Sequence, residues 1–142
     1  MTDRGISRQL RREVERRSRG RCAYCQTQQL VVGSLLTVDH IVPKLLGGTD
    51  EVSNLCLACW ECNLTKQGRI SGPDATSGER VPLFRPDTDR WSDHFEWSED
   101  GLAVVGTTVS GRATVALLRL NRPALVRARE HWVAAGWHPP PD

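Results

Sequence analysis

The sequence predicts an α+β protein with a small strand-and-helix core, and three observations lead there. Two Cys-x-x-Cys pairs, Cys22/Cys25 and Cys59/Cys62, bracket a β-branched run. An Arg-rich amphipathic segment precedes them. After them come an alternating aromatic stretch, a second β-branched run and two helical patterns. The domain division that follows is 1–69 for the basic helix and core, 70–90 for a linker, and 91–142 for a β-hairpin and helical extension.

The elements follow in order. Ile6, Leu10 and Val14 lie four apart among Arg and Glu, so residues 6–18 form a helix with a narrow apolar stripe, and Gly20 stops it. Cys22-Ala23-Tyr24-Cys25 makes a tight turn. Residues 30–39, LVVGSLLTVD, read as strand with a break at Gly33. Residues 41–53 are loop, with turn chemistry at Pro43, Gly47, Gly48, Asp50 and Ser53. The short apolar run 54–58 leads to the second cysteine pair, and a helix continues to about Gly68. Residues 69–90 carry three Pro and two Gly and read as linker or long loop. WSDHFEW alternates, SEDG turns and LAVVGTTV returns, a hairpin. Helices over 111–120 and 123–135 follow, the latter with Pro123 at its first turn.

The 142-residue chain is 39% hydrophobic and 25% charged, a globular balance. No apolar run approaches the roughly 20 residues of a membrane span, so no membrane partner is expected. The start is charged and lacks a leader's apolar core, so a cytoplasmic protein is expected. The net charge of +2 is unevenly distributed. Residues 1–21 hold eight Arg against three acids, whereas residues 74–100 hold eight acids against three Arg. The Arg cluster, with Arg11 and Arg12 at its centre, is either a phosphate-backbone footprint or a solvated helix face.

The cysteines carry the strongest signal. Four thiolates in two Cys-x-x-Cys turns suit tetrahedral zinc, and a closed four-sulfur site is structural. The pairs are separated by the 33 residues 26–58, longer than in a simple zinc ribbon. Cys56 is a competing ligand or, preferably, a half-buried free thiol. Between the pairs stands Asp39-His40. Neighbours on a strand point to opposite faces, so the two can serve a metal and a reactive group. Zinc would clamp the strand to the helix and bring the pair near Asn63. A carboxylate and an amide oxygen suit Mg²⁺ or Mn²⁺, and a neutral imidazole can take a proton from water. Phosphodiester hydrolysis needs those parts.

The run CAYC…DHIVPKLLGGTDEVSNL…CWECNLTK, about residues 20–69, resembles the HNH endonucleases, which have a ββα-metal fold. The resemblance implies a hydrolase acting on DNA. It implies His40 as general base, Asp39 and Asn63 as ligands of the divalent ion, and Asn54 as the residue that ties the loop and orients the histidine. Asn63 at the last position makes an H-N-N variant and favours Mg²⁺ or Mn²⁺ over catalytic zinc. Lys66 is either a phosphate contact on the helix or a solvated side chain. No small-molecule cofactor is implied.

The C-terminal half resembles extensions of some bacterial HNH proteins. Trp91, Phe95, Trp97, Trp132 and Trp137 either stack on bases or, preferably, pack the hairpin on the last helix. His94 beside Asp93 reads as structural or surface, and His131 near Arg127 and Arg129 as a weak phosphate patch. The extension is equally a candidate homodimer surface. The competing reading of the whole is a non-catalytic zinc-ribbon module that only docks nucleic acid or protein. A zinc-stabilised redox protein is a third.

Overall fold

The computed structural model describes residues 5–142 as an α+β chain of short hairpins and helices. Asp3 and Arg4 of the basic segment lie outside the described residues. The chain divides into two compact units. The first runs through Ile70 and takes in Arg85–Thr88, and the second comprises Ser71–Phe84 and Asp89–Asp142.

In the first unit, α1 spans Arg8–Arg17. Ser7 caps it, its hydroxyl accepting from the Leu10 amide, and Val14 on its apolar stripe is wholly buried. Burying such a side chain stabilises by roughly 1.5–3 kcal/mol. The run expected as a strand over 30–39 divides instead. Gln29–Val32 forms a helical turn, α2, ended by Gly33 at φ 68°, and the strand β1 is only Thr37–His40. The reason is the ladder. β1 pairs antiparallel with β2, Leu55–Ala58, from Thr37 opposite Ala58 to His40 opposite Leu55, and β2 supplies no more partners. The Gln29 amide fills the gap, donating to Glu15 and accepting from the Leu36 amide. Ser18 receives the Leu57 amide on its hydroxyl, and the Leu57 carbonyl receives the Ala23 amide. α1 and the first cysteine turn are thereby fastened to β2. The helix α3, Trp60–Lys66, follows at once, capped by Cys59.

The second unit opens with a surprise for the linker expectation. Residues 70–90 are not a featureless connection. β3, Ser71–Pro73, and β4, Arg80–Pro82, form a hairpin, and Leu83 and Phe84 behind it are buried. The Pro and Gly residues shape its turn, while the apolar residues between them find a core. The alternation in WSDHFEW also overstates the strand. Trp91–His94 is a helical turn, α4, and only Phe95–Trp97, β5, pairs with Val104–Gly106, β6. α5, Val109–Leu117, is capped by Thr108, and α6, Pro123–Ala134, begins on its proline as expected.

The aromatics resolve toward packing. Trp91 stacks near Phe95 and Trp97 with centroids 5.0 and 5.4 Å away, and Trp132 lies 5.8 Å from the His138 ring. Trp137 is exposed. Arg129 is fully buried, donating to the Leu102 and Leu120 carbonyls and to Asn121, with its guanidinium 5.1 Å from the Trp97 ring. His131 is exposed. His94 does not use Asp93. Its Nδ1 meets the Thr108 hydroxyl at 2.7 Å, and its Nε2 lies 3.7 Å from Asp89.

α5 approaches the start of β5 closely at Gly111. A Cβ there would stand 2.1 Å from the His94 carbonyl oxygen, a backbone atom that cannot swing aside. Gly111→Ala is expected to lower unfolding stability by about 2 kcal/mol or more, read from denaturant midpoints.

Candidate active site and cysteine cluster

The four cysteines meet. Their sulfurs all lie within 4.8 Å of one another, and all four thiols are shielded by the surrounding chain. Zinc at about 2.3 Å from each of four sulfurs would space them about 3.8 Å apart, so the cluster has the size for one ion. Each Cys-x-x-Cys turn aims an amide back at its first sulfur, Cys25 N–H to Cys22 at 3.5 Å and Cys62 N–H to Cys59 at 3.4 Å. The thiols do not titrate alike. Burial pushes the Cys22 thiol up, while hydrogen bonding from Cys22 and the other cysteines holds Cys25 well below the usual range. A divalent cation removes that conflict by taking every sulfur as thiolate. The four positions fit structural zinc. Cys56 stays out of the cluster. It is buried rather than half-buried, its Sγ pointing at the Tyr24 hydroxyl at 3.8 Å, and burial pushes its thiol up.

Asp39 and His40 do part to opposite faces of β1. Asp39 turns inward, toward α3. Its Oδ2 accepts from Lys66 Nζ at 2.9 Å and from the Tyr24 hydroxyl at 2.9 Å. Burial keeps the Tyr24 phenol protonated and therefore a donor. Lys66 also reaches the carbonyls of His40 and Ile41 at 3.2 and 3.3 Å. The Lys66 and Asp39 residues are only 2% and 1% exposed. The expectation of Lys66 as a phosphate contact is therefore corrected. Its ammonium is enclosed because three oxygens compensate for the lost water.

Asn63 occupies the same seam, one helical turn from Lys66. Its Nδ2 donates to the Thr37 hydroxyl at 2.9 Å, two residues before Asp39 on the same strand face. β1 and α3 are thus joined by two polar rungs, Thr37–Asn63 and Asp39–Lys66. Asp39 Oδ1 is buried and has no hydrogen-bond partner among the described residues. Asp39 and Asn63 are oxygen-bearing side chains of this closed seam, and the Asp39 carboxylate is occupied on one oxygen by the Lys66 ammonium.

His40 points the other way and is partly exposed. Its Nε2 lies 2.7 Å from Asp50 Oδ1, and Asp50 Oδ2 lies 2.9 Å from Lys44 Nζ. The histidine and then the lysine hold the Asp50 carboxyl below its ordinary range. Sequence reasoning missed Asp50 and took it for a turn residue. The only signal for it was an acid in a loop that must return beside its own start. Asn54 makes the loop return. Its side chain accepts from the Val42 amide and donates to the Val42 and Thr49 carbonyls, each at 2.9 Å, and its own carbonyl receives the Ile41 amide. Its side-chain hydrogen bonds among the described residues go to the loop.

The basic helix is only partly available. Arg11 donates to the Leu36 carbonyl and pairs with Glu15, whereas Arg12 is exposed.

Both cysteine turns, the divided Asp-His pair and the two asparagines fall in one stretch. Residues 22–69, about a third of the chain, match the family model of the HNH endonuclease. The segment is an HNH domain. That domain links the chain to nuclease or nucleic-acid chemistry, and its limits coincide with the first cysteine and the end of α3 plus three residues. No significant match joins the chain to a curated protein or a solved structure. Among the described residues, no helix is long and apolar enough to cross a membrane.

Two measurements test the framework of the HNH domain. Metal analysis should find zinc in the wild type and little in Cys59→Ser, and the variant should melt at lower temperature, because metal binding energy is folding energy. Lys66→Met should destabilise the domain by about 3–5 kcal/mol by stranding the buried Asp39 charge, read in urea unfolding.

Proposed function

We propose that the protein is a metal-dependent endonuclease that hydrolyses phosphodiester bonds in DNA. The observation that carries the proposal is the HNH match, which contains Asp39, His40, Asn54 and Asn63 in one folded segment. His40 is the general base. Its ring takes a proton from a water whose oxygen forms the new bond to phosphorus. The bond from phosphorus to the leaving sugar oxygen breaks, and that oxygen acquires a proton from solvent. The products are a phosphate monoester and a free hydroxyl.

Asp39 and Asn63 are the residues that would hold Mg²⁺ or Mn²⁺. A divalent ion there supplies positive charge against the charge that develops on the phosphate. Lys66 already places one positive charge on Asp39 Oδ2, so a divalent ion at this carboxylate would share it with the ammonium or require the ammonium to yield. Asn54 keeps His40 in place indirectly, by closing the loop that follows it. Arg12 and the rest of the exposed basic face of α1 are available to the phosphate backbone. One such site cuts one strand per event, so a double-strand break needs a homodimer or two events.

The buried Asp39–Lys66 pair also favours a second reading, a zinc-stabilised module that binds nucleic acid without cutting it. A plasmid assay separates the two. Zinc-loaded protein is incubated with supercoiled DNA in EDTA, Mg²⁺ or Mn²⁺, beside His40→Ala. The nuclease reading expects nicking that needs the divalent ion and falls by about 100-fold or more in the variant. Equal nicking by the variant removes His40 as base. DNA binding with no nicking under any metal supports the binding module.

A further inference from the structure

We infer that Asp50 is the positioning residue of the active-site histidine, fixing which ring nitrogen of His40 acts as the base. This rests on the nuclease reading above and adds a residue to it. The structure places the Asp50 carboxylate 2.7 Å from Nε2 of His40, ten residues away along a loop that must fold back to reach it. A carboxylate only accepts at neutral pH, so the ring nitrogen facing it carries the proton. With Nε2 protonated, the neutral ring keeps its lone pair on Nδ1. The proton from water therefore goes to Nδ1, and the positive charge then on the ring is met by Asp50.

Asp50 is itself held on two sides. Lys44 grips its second oxygen at 2.9 Å, and the loop around it is closed by the three hydrogen bonds of the Asn54 side chain. Gly48 is part of the same closure. A Cβ there would lie 1.7 Å from the Val42 carbonyl oxygen and 2.9 Å from Asn54 Nδ2, so the chain returns tightly against β1's exit. On the opposite face of the strand, the His40 carbonyl accepts from Lys66, which fixes the backbone that carries the ring. The histidine is thus restrained from its backbone by one lysine and from its ring by one carboxylate. The arrangement is the base-and-orienter logic of hydrolytic sites, built within one loop.

The test uses the full chain with zinc bound. Asp50→Asn can hold the ring in either tautomer, whereas Asp50→Glu keeps the acceptor. Asp50→Asn should lower the single-turnover nicking rate about 10-fold or more at unchanged DNA affinity, and Asp50→Glu should recover part of it. Nitrogen-15 NMR of the His40 ring, recorded without DNA, should show the Nε2–H tautomer in the wild type and a mixture in Asp50→Asn. A wild-type nicking rate in Asp50→Asn, or a neutral wild-type ring protonated at Nδ1, overturns the inference. Failure of the nuclease reading is separate, since it appears as nicking indifferent to His40→Ala, while the NMR signature still tests the Asp50 pairing.

Discussion

The convergence of four sulfurs is the constraint on which the first unit depends. The two strands of its hairpin are four residues long and its last helix is seven. Neither length is stable alone in water, because a short hairpin buries little and a short helix never recovers its nucleation cost. One cysteine turn precedes the hairpin, and the other lies where β2 passes into α3. One ion held by all four would close the 33 intervening residues into a loop and remove much of the chain entropy that opposes the fold. Val14 and Leu57 then bury fully against that frame, and the Ser18 and Ala23 hydrogen bonds seat α1 and the first turn upon it.

Within the frame, Asp39 and His40 part to opposite faces of β1. A single strand end sends a carboxylate into a closed seam and an imidazole to a wet surface. The seam is electrically balanced by Lys66, so its polarity stabilises the contact of β1 with α3 instead of straining it. The imidazole is partly exposed and lies beside Asp50. The base proposed above needs that exposure, and a charged group in a small core needs its partner. The alternation of side chains along a strand meets both needs with adjacent residues.

The second unit is organised differently. It has no metal cluster among its described residues and relies on a buried guanidinium that ties the Leu102 and Leu120 carbonyls together beneath Trp97. Aromatic rings surround that arginine. The hairpin formed from Ser71–Pro73 and Arg80–Pro82, with Leu83 and Phe84 behind it, belongs to this core. The aromatic residues of the extension are thereby largely used for packing.

The sequence by itself determined the α+β class, the cysteine cluster and the HNH segment, because these depend on residue types at fixed local spacings. A Cys-x-x-Cys turn forms locally, a period of four makes one helix face, and Pro123 can begin a helix wherever it stands. It also foretold that Asp39 and His40 would diverge, since that follows from strand geometry alone. Only the tertiary structure decided what each of them meets. Lys66 looked like a surface cation until α3 docked on β1 and enclosed it against Asp39. Asp50 looked like turn chemistry until the loop closed by Asn54 carried it back to His40. The strand expected over residues 30–39 shrank to four because its partner is four residues long. In each case the deciding quantity is a pairing across many residues, set by packing and burial, and no local pattern records it.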